Sequence, residues 1–162
     1  MIRKMILAAC ATLPLFANPA FAAPELGYLQ NGLDARGRCL GSDDDGVAMT
    51  ACTQAPSQQW ASTPGDIPGY YKLHTAAGGQ AMCLAAQPAD RKNVLRMAAC
   101  GTGEEQQWYV VRLTGQPNLL YLTNRAAGAT RCLEAQQTGI KLTPCGRKQA
   151  GHQWRGNYTP TM

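Results

Sequence analysis

CLGSDDDGVAMTACTQAPSQQW (residues 39–60), CLAAQPADRKNVLRMAACGTGEEQQW (83–108) and CLEAQQTGIKLTPCGRKQAGHQW (132–154) are three versions of one segment. Each opens on Cys-Leu, meets a second Cys after 13, 17 or 13 residues, and ends in Trp60, Trp108 or Trp154. The three Trp lie 48 and 46 residues apart, and Gln59, Gln107 and Gln153 precede them directly. A fixed period of this size marks a repeat architecture and must be read before any single motif.

The likeness continues outward. Tyr28-Leu29-Gln30-Asn31, Tyr71-Lys72-Leu73-His74 and Tyr121-Leu122-Thr123-Asn124 open the units, and Gly37, Gly79 and Gly128 stand ahead of each first Cys. Short alternating runs lead into the second Cys: Val47 to Ala51, Leu95 to Ala99 and Ile140 to Pro144. Apolar runs of a few residues broken by Gly, Pro, Asn or Asp read as short strands and tight turns. The expected fold is all-β, with three pseudo-symmetric repeats of roughly 45 residues at about 26–69, 70–117 and 118–158. Closing three such units on one another removes free sheet edges.

Composition narrows the class. Hydrophobic residues make up 45% of the 162 and charged residues 15%, which opposes disorder driven by charge. Residues 1–22 read as a secretory signal, with Arg3 and Lys4, an apolar stretch from Met5 to Phe16, and Ala20-Phe21-Ala22 as the cleavage site. A lipoprotein-type Leu7-Ala8-Ala9-Cys10 competes with it, but five residues between Lys4 and Cys10 are too few for the apolar region such a signal needs. Cleavage after Ala22 leaves residues 23–162, with 13 basic residues against 10 acidic ones. An excess of three without a basic block gives no support to nucleic-acid binding. No apolar run is long enough to span a bilayer. The expected location is secreted or periplasmic, and removal of Cys10 leaves six of the seven Cys, an even number suited to disulfides.

Cys-Leu, a second Cys and Gln-x-Trp, three times over, resembles the ricin B-type β-trefoil lectin family across about residues 26–158. The resemblance implies a six-stranded barrel capped by three hairpins, one potential sugar pocket per repeat, and a role in recognition. Six Cys allow fifteen pairings, and the repeat selects Cys39–Cys52, Cys83–Cys100 and Cys132–Cys145. Loops of this length are worth on the order of 3 kcal/mol each in the chain-entropy account. A zinc site is the rival reading, but there is no Cys-x-x-Cys, so no metal and no cofactor are expected. Gln58, Trp60, Gln106, Trp108, Gln153 and Trp154 read as framework: the Trp as apolar anchors, the Gln as partners for turn backbone.

Sugar-binding members carry a carboxylate two residues after the first Cys, an aromatic two before the second, and an Asn three before the Trp. Here those positions are Gly41, Thr50 and Ser57, then Ala85, Ala98 and Glu105, then Glu134, Thr143 and Gly151. No repeat has the aromatic, and only the third has the carboxylate. In that repeat His152 replaces the Gln of Gln-x-Trp, so Glu134, Lys141 and His152 are the candidate ligand-binding residues, against the plainer reading of Glu134 as an exposed strand-end charge.

Other residues have two readings each. Asp43-Asp44-Asp45-Gly46 is a calcium candidate or a solvated turn, and its carboxylates lack the alternate spacing of a calcium loop. His74 is a surface or partly buried residue; Tyr70, Tyr71 and Tyr109 form a contact patch or point into the barrel. With two His, no Gly-x-Ser-x-Gly and no His-Glu-x-x-His, no catalytic constellation emerges. The expected function is non-enzymatic recognition of a glycan or cell-surface glycoconjugate. The alternatives are a protein-binding accessory subunit of a secreted toxin complex and a protease inhibitor. Leu142-Thr143-Pro144-Cys145-Gly146 is similar to a stretch in the binding subunits of cytolethal distending toxins.

Overall fold

The computed structural model describes residues 25–33, 37–43, 46–87, 94–137, 139–146 and 149–156. Residues 1–22, which the sequence reading takes as a signal, Asp44, Asp45 and the tail beyond residue 156 lie outside them. The first repeat supplies β1 (Glu25–Tyr28), β2 (Gln30–Asn31), β3 (Arg38–Ser42), β4 (Val47–Ala51) and β5 (Gln59–Pro64). The second supplies β6 (Tyr71–Thr75), β7 (Met82–Gln87), β8 (Val94–Ala99) and β9 (Trp108–Leu113). The third supplies β10 (Gln116–Asn124), β11 (Arg131–Gln136), β12 (Gly139–Pro144) and β13 (Trp154–Arg155).

Pairing closes a ring. β1 pairs with β5, β5 with β6, β6 with β9, β9 with β10, β10 with β13, and β13 with β2. Because β1 and β2 are two halves of one strand, broken at Leu29, the ring has six members. The antiparallel hairpins β3–β4, β7–β8 and β11–β12 cap it. This is the β-trefoil that the family resemblance implies, and every barrel strand has two neighbours, so the barrel itself leaves no edge open.

Strand alternation explains the core. Leu40, Leu84 and Leu133, the residues after each first Cys, are fully buried beside Trp60, Trp108 and Trp154. Burying an indole is worth several kcal/mol, but its N–H must find an acceptor. Each does so in the same way: Trp60 donates to Leu40 O at 2.8 Å, Trp108 to Leu84 O at 2.7 Å, and Trp154 to Leu133 O at 2.9 Å. The bond ties the last strand of a repeat to its own hairpin. Disulfides Cys39–Cys52, Cys83–Cys100 and Cys132–Cys145 close the bases of the three hairpins. The backbone N–H groups of Cys52, Cys100 and Cys145 return to Gly37, Ala81 and Thr130 carbonyls beside them.

One correction concerns the unit openings. Trp60 stands opposite Thr75, Trp108 opposite Asn124, and Trp154 opposite Asn31. The equivalent core residues are therefore Leu29, Leu73 and Leu122, all fully buried. Aligning the second unit on Tyr71 shifts it by one residue, since side chains alternate between faces and the buried Leu sets the register.

Trp108→Phe should keep most of the apolar burial but leave Leu84 O without its donor. We expect a loss of about 1–3 kcal/mol in urea unfolding, with comparable losses for Trp60→Phe and Trp154→Phe.

Candidate functional site

In each repeat, one turn of 3-10 helix leads into the last strand: Pro56–Gln58, Glu104–Gln106 and Ala150–His152. The residue two before the Trp ends this turn and is buried in all three. Gln58 Oε1 accepts from Thr53 N at 2.7 Å, while its Nε2 donates to Thr50 Oγ1 and Ala51 O. Gln106 accepts from Gly101 N at 2.7 Å and donates to Ala99 O. An amide suits this place because it offers a donor and an acceptor on one planar group.

His152 fills the same place in the third repeat and does the same work. Its ring lies 2.7 Å from Thr143 Oγ1 through Nε2, and its Nδ1 receives the Gly146 N–H at 3.1 Å. Thr143 gives its only hydroxyl proton to Glu134 Oε2 at 2.9 Å, so it accepts from His152 Nε2. The imidazole is then the Nε2–H tautomer, and Nδ1 is free to accept. Sequence reasoning placed His152 among the ligand contacts; the structure places it fully buried behind Thr143, with both nitrogens engaged. Gln153 corresponds to Gln59 and Gln107, one step along.

The positions of the sugar-binding pattern converge in the first and third repeats. A Cβ at Gly41 would lie 3.3 Å from Gln58 Cγ, 3.5 Å from Thr50 Oγ1 and 3.8 Å from Ser57 O, so the three positions of the first repeat meet around the turn-closing Gln58. In the second repeat Ala85 is buried, and it faces Arg96 across the hairpin. The third repeat differs. Glu134 crosses over Gly151, where a Cβ would meet its Cγ at 3.0 Å and its Oε1 at 3.3 Å. Thr143 and Gln136 Nε2 hold Glu134 Oε2, at 2.9 and 3.0 Å, and Oε1 takes no part in that network. Lys141 is the direct cross-strand partner of Glu134 and is exposed. The third hairpin thus presents a fixed, half-buried carboxylate with a cation opposite, a pair able to accept from and donate to hydroxyl groups.

Two further clusters lie away from the hairpin faces. Tyr70 and Tyr109 approach at 5.7 Å between ring centroids, and the Arg125 guanidinium sits 5.7 Å over Tyr70 while pairing with Glu104. Tyr109 is exposed, whereas Tyr71 packs against the core, so the three Tyr divide between the two readings. Asp66 binds Lys72 at 2.8 Å and accepts from the buried Gln107 amide at 2.7 Å, and those two bonds hold its carboxyl below the usual carboxylate range. Sequence reasoning missed this cluster, although the doubled Gln ahead of Trp60 and Trp108 was a signal for it. Asp43 Oδ1 accepts the Gly46 N–H at 2.7 Å, as a turn-forming Asp does.

His74 is buried, contrary to a surface reading, and its Nε2 has no hydrogen-bond partner among the described residues. Burial pushes its pKa down. Among the described residues, no group of three His, Cys, Asp or Glu could hold a metal ion. No helix among them is long and apolar enough to cross a membrane.

The family model described as ricin-type beta-trefoil lectin domain-like matches residues 56–154. The chain belongs to this ricin-type β-trefoil family. No curated protein matches it. Among solved structures, a designed threefold-symmetric protein, ThreeFoil, is 20% identical with a TM-score of 0.65, over 82% of this chain and 96% of that one. SeviL, solved bound to asialo-GM1 saccharide, is 14% identical with a TM-score of 0.60, over 83% and 97%. The Haemophilus ducreyi cytolethal distending toxin is 15% identical with a TM-score of 0.63, over 91% and 88%. At these identities the likeness establishes the fold. This ricin-type chain keeps the family's framework in all three repeats and a polar hairpin face in one.

Because Gln fills the His152 place in the other repeats, His152→Gln should change stability by less than about 1 kcal/mol, while His152→Ala should cost about 1–3 kcal/mol in denaturant unfolding. His74 gives a pH dependence. With its folded pKa below the ordinary value of about 6.5, the unfolded chain binds the proton first as pH falls. Stability should therefore drop from about pH 6.5 down to the folded pKa and then level off, and His74→Gln should lack that slope in unfolding curves taken across the range.

Proposed function

We propose that this chain is an exported, non-enzymatic recognition module that binds carbohydrate on glycoconjugates through the hairpin face of its third repeat. The observation that carries the reading is Glu134, which alone keeps a carboxylate two residues after the first Cys of a repeat, held by Thr143 and Gln136 with Lys141 opposite. Glu134 and Lys141 make the ligand contacts, and His152 supports them from behind through Thr143. Membership of a lectin-like family and three disulfides, suited to an oxidising compartment, support the reading. Without a stacking ring the site gives up about 1 kcal/mol or more, so single-site affinity is weak and multivalent display strengthens it.

A second reading is a protein-binding accessory subunit of a secreted toxin complex. It is favoured by near full-length likeness to the cytolethal distending toxin chain, together with the small residues Gly41, Thr50, Ala85 and Ala98 at the carboxylate and aromatic positions of the first two repeats.

The mature chain, displayed multivalently on a glycan array, should retain a defined set of glycans. Glu134→Gln should weaken that binding about tenfold, the scale of one hydrogen bond to a charged group. Absence of binding to every glycan at high protein concentration, with a stable protein complex recovered from the producing cells, would replace this reading with the second.

A further inference from the structure

The outer wall of the barrel carries a hollow of about 340 Å³ at the junction of the first and second repeats, away from the hairpin faces. The threefold register explains why it is there. Ala61 occupies the place held by Tyr109 in the second repeat, and Ala76 the place held by Arg125 at the next junction. At that junction the two large side chains meet over Tyr70. Here two methyl groups and Gly27 and Gly79 leave the wall uncovered.

The rim is polar but uncharged. Tyr28, Gln59, His74 and Gln80 line the hollow, and among the described residues no Asp, Glu, Lys or Arg does. Gln59 Nε2 spends its two hydrogens on Tyr28 Oη and Gln54 O, both at 3.2 Å, which leaves its carbonyl oxygen to accept and the Tyr28 hydroxyl to donate. His74 adds a buried imidazole whose Nε2 has no partner among the described residues, and a buried polar atom without a partner is uncommon enough to require a reason. A volume of this size lies at the small end of ligand sites, and a surface of methyl groups and an aromatic with a few polar atoms at its edge suits a compact neutral molecule with one apolar face.

We propose that the hollow between Tyr28, Ala61, His74 and Gln80 is a second binding site that takes one neutral sugar ring, with its C–H face against Ala61 and Tyr28 and its hydroxyls at Gln59 and Gln80. It deepens the reading of the chain as a carbohydrate-binding module and lies outside the three hairpin positions. Among the described residues an acidic sugar finds no cation in this hollow, which separates its preference from that of the third hairpin, where Lys141 stands.

The test is an amide NMR titration of the mature chain with methyl β-galactopyranoside, N-acetylglucosamine and methyl α-mannopyranoside. At least one should give saturable shifts at Ala61, Ala76, Gly79 and Gln80. Ala61→Tyr, which restores the large side chain of the second repeat, should weaken that binding at least tenfold, while Glu134→Gln leaves it unchanged. Gln80→Ala, on an exposed turn, should weaken it several-fold and serves as the readout where Ala61→Tyr does not fold. Shifts confined to Glu134, Lys141 and Thr143 would overturn the hollow and leave the hairpin reading standing. Shifts at the hollow that persist unchanged in the variants would also overturn it. No shift with any of the three sugars would overturn the hollow, and a silent glycan array beside it would remove the carbohydrate reading as well.

Discussion

The structure depends on one bond made three times, from a buried indole N–H to the carbonyl of the Leu that follows a half-cystine. A Trp brings more apolar area than any other side chain, but it brings a donor that cannot be left unpaired inside a barrel. Setting that donor against the hairpin's own backbone solves both needs at once. The hairpin is held to the barrel, and the Trp rotamer is fixed. The residue two positions earlier then closes the intervening turn, as an amide in two repeats and as an imidazole in the third.

This division separates framework from recognition. The indoles, the first half-cystine of each pair and the turn-closing residues are all buried beneath the hairpin faces, so those faces can vary in their side chains without loss of the fold. The first two repeats show that outcome, with Gly41, Thr50, Ala85 and Ala98 where a ligand would need a carboxylate or a ring. The third keeps Glu134, and the hydrogen bonds from Thr143 and Gln136 hold it in one place.

Much of this was legible in the sequence because Cys and Trp are rare and their spacing is unambiguous. The barrel, the hairpins and the family follow from three pairs of Cys and three Trp. What the sequence hid was set by alternation and by contacts between repeats. Tyr71 looked like a unit opening, but the buried Leu73 fixes the register, one residue further on. His152 looked like a polar extra near a ligand, but its depth and its two partners are properties of packing that no spacing reports. The wall hollow arises from two alanines 15 residues apart, Ala61 and Ala76, and alanines carry no signal until the three repeats are superposed strand by strand.

Each disulfide lies within one repeat, and none joins two. Between repeats there are only strand pairing, core packing and side-chain bonds. One of these is the Asn31 amide, which reaches Gly151 O at 2.7 Å across 120 positions of sequence and, with the β2–β13 pairing, brings the beginning and end of the described chain side by side. The order in which the three units are translated is therefore not imposed by their covalent cross-links. A gene joined end to end and reopened at the turn around Gly115, between the second and third units, would encode the same barrel with every cystine intact. The architecture is closer to a ring of three interchangeable lobes than to a chain with a first and a last.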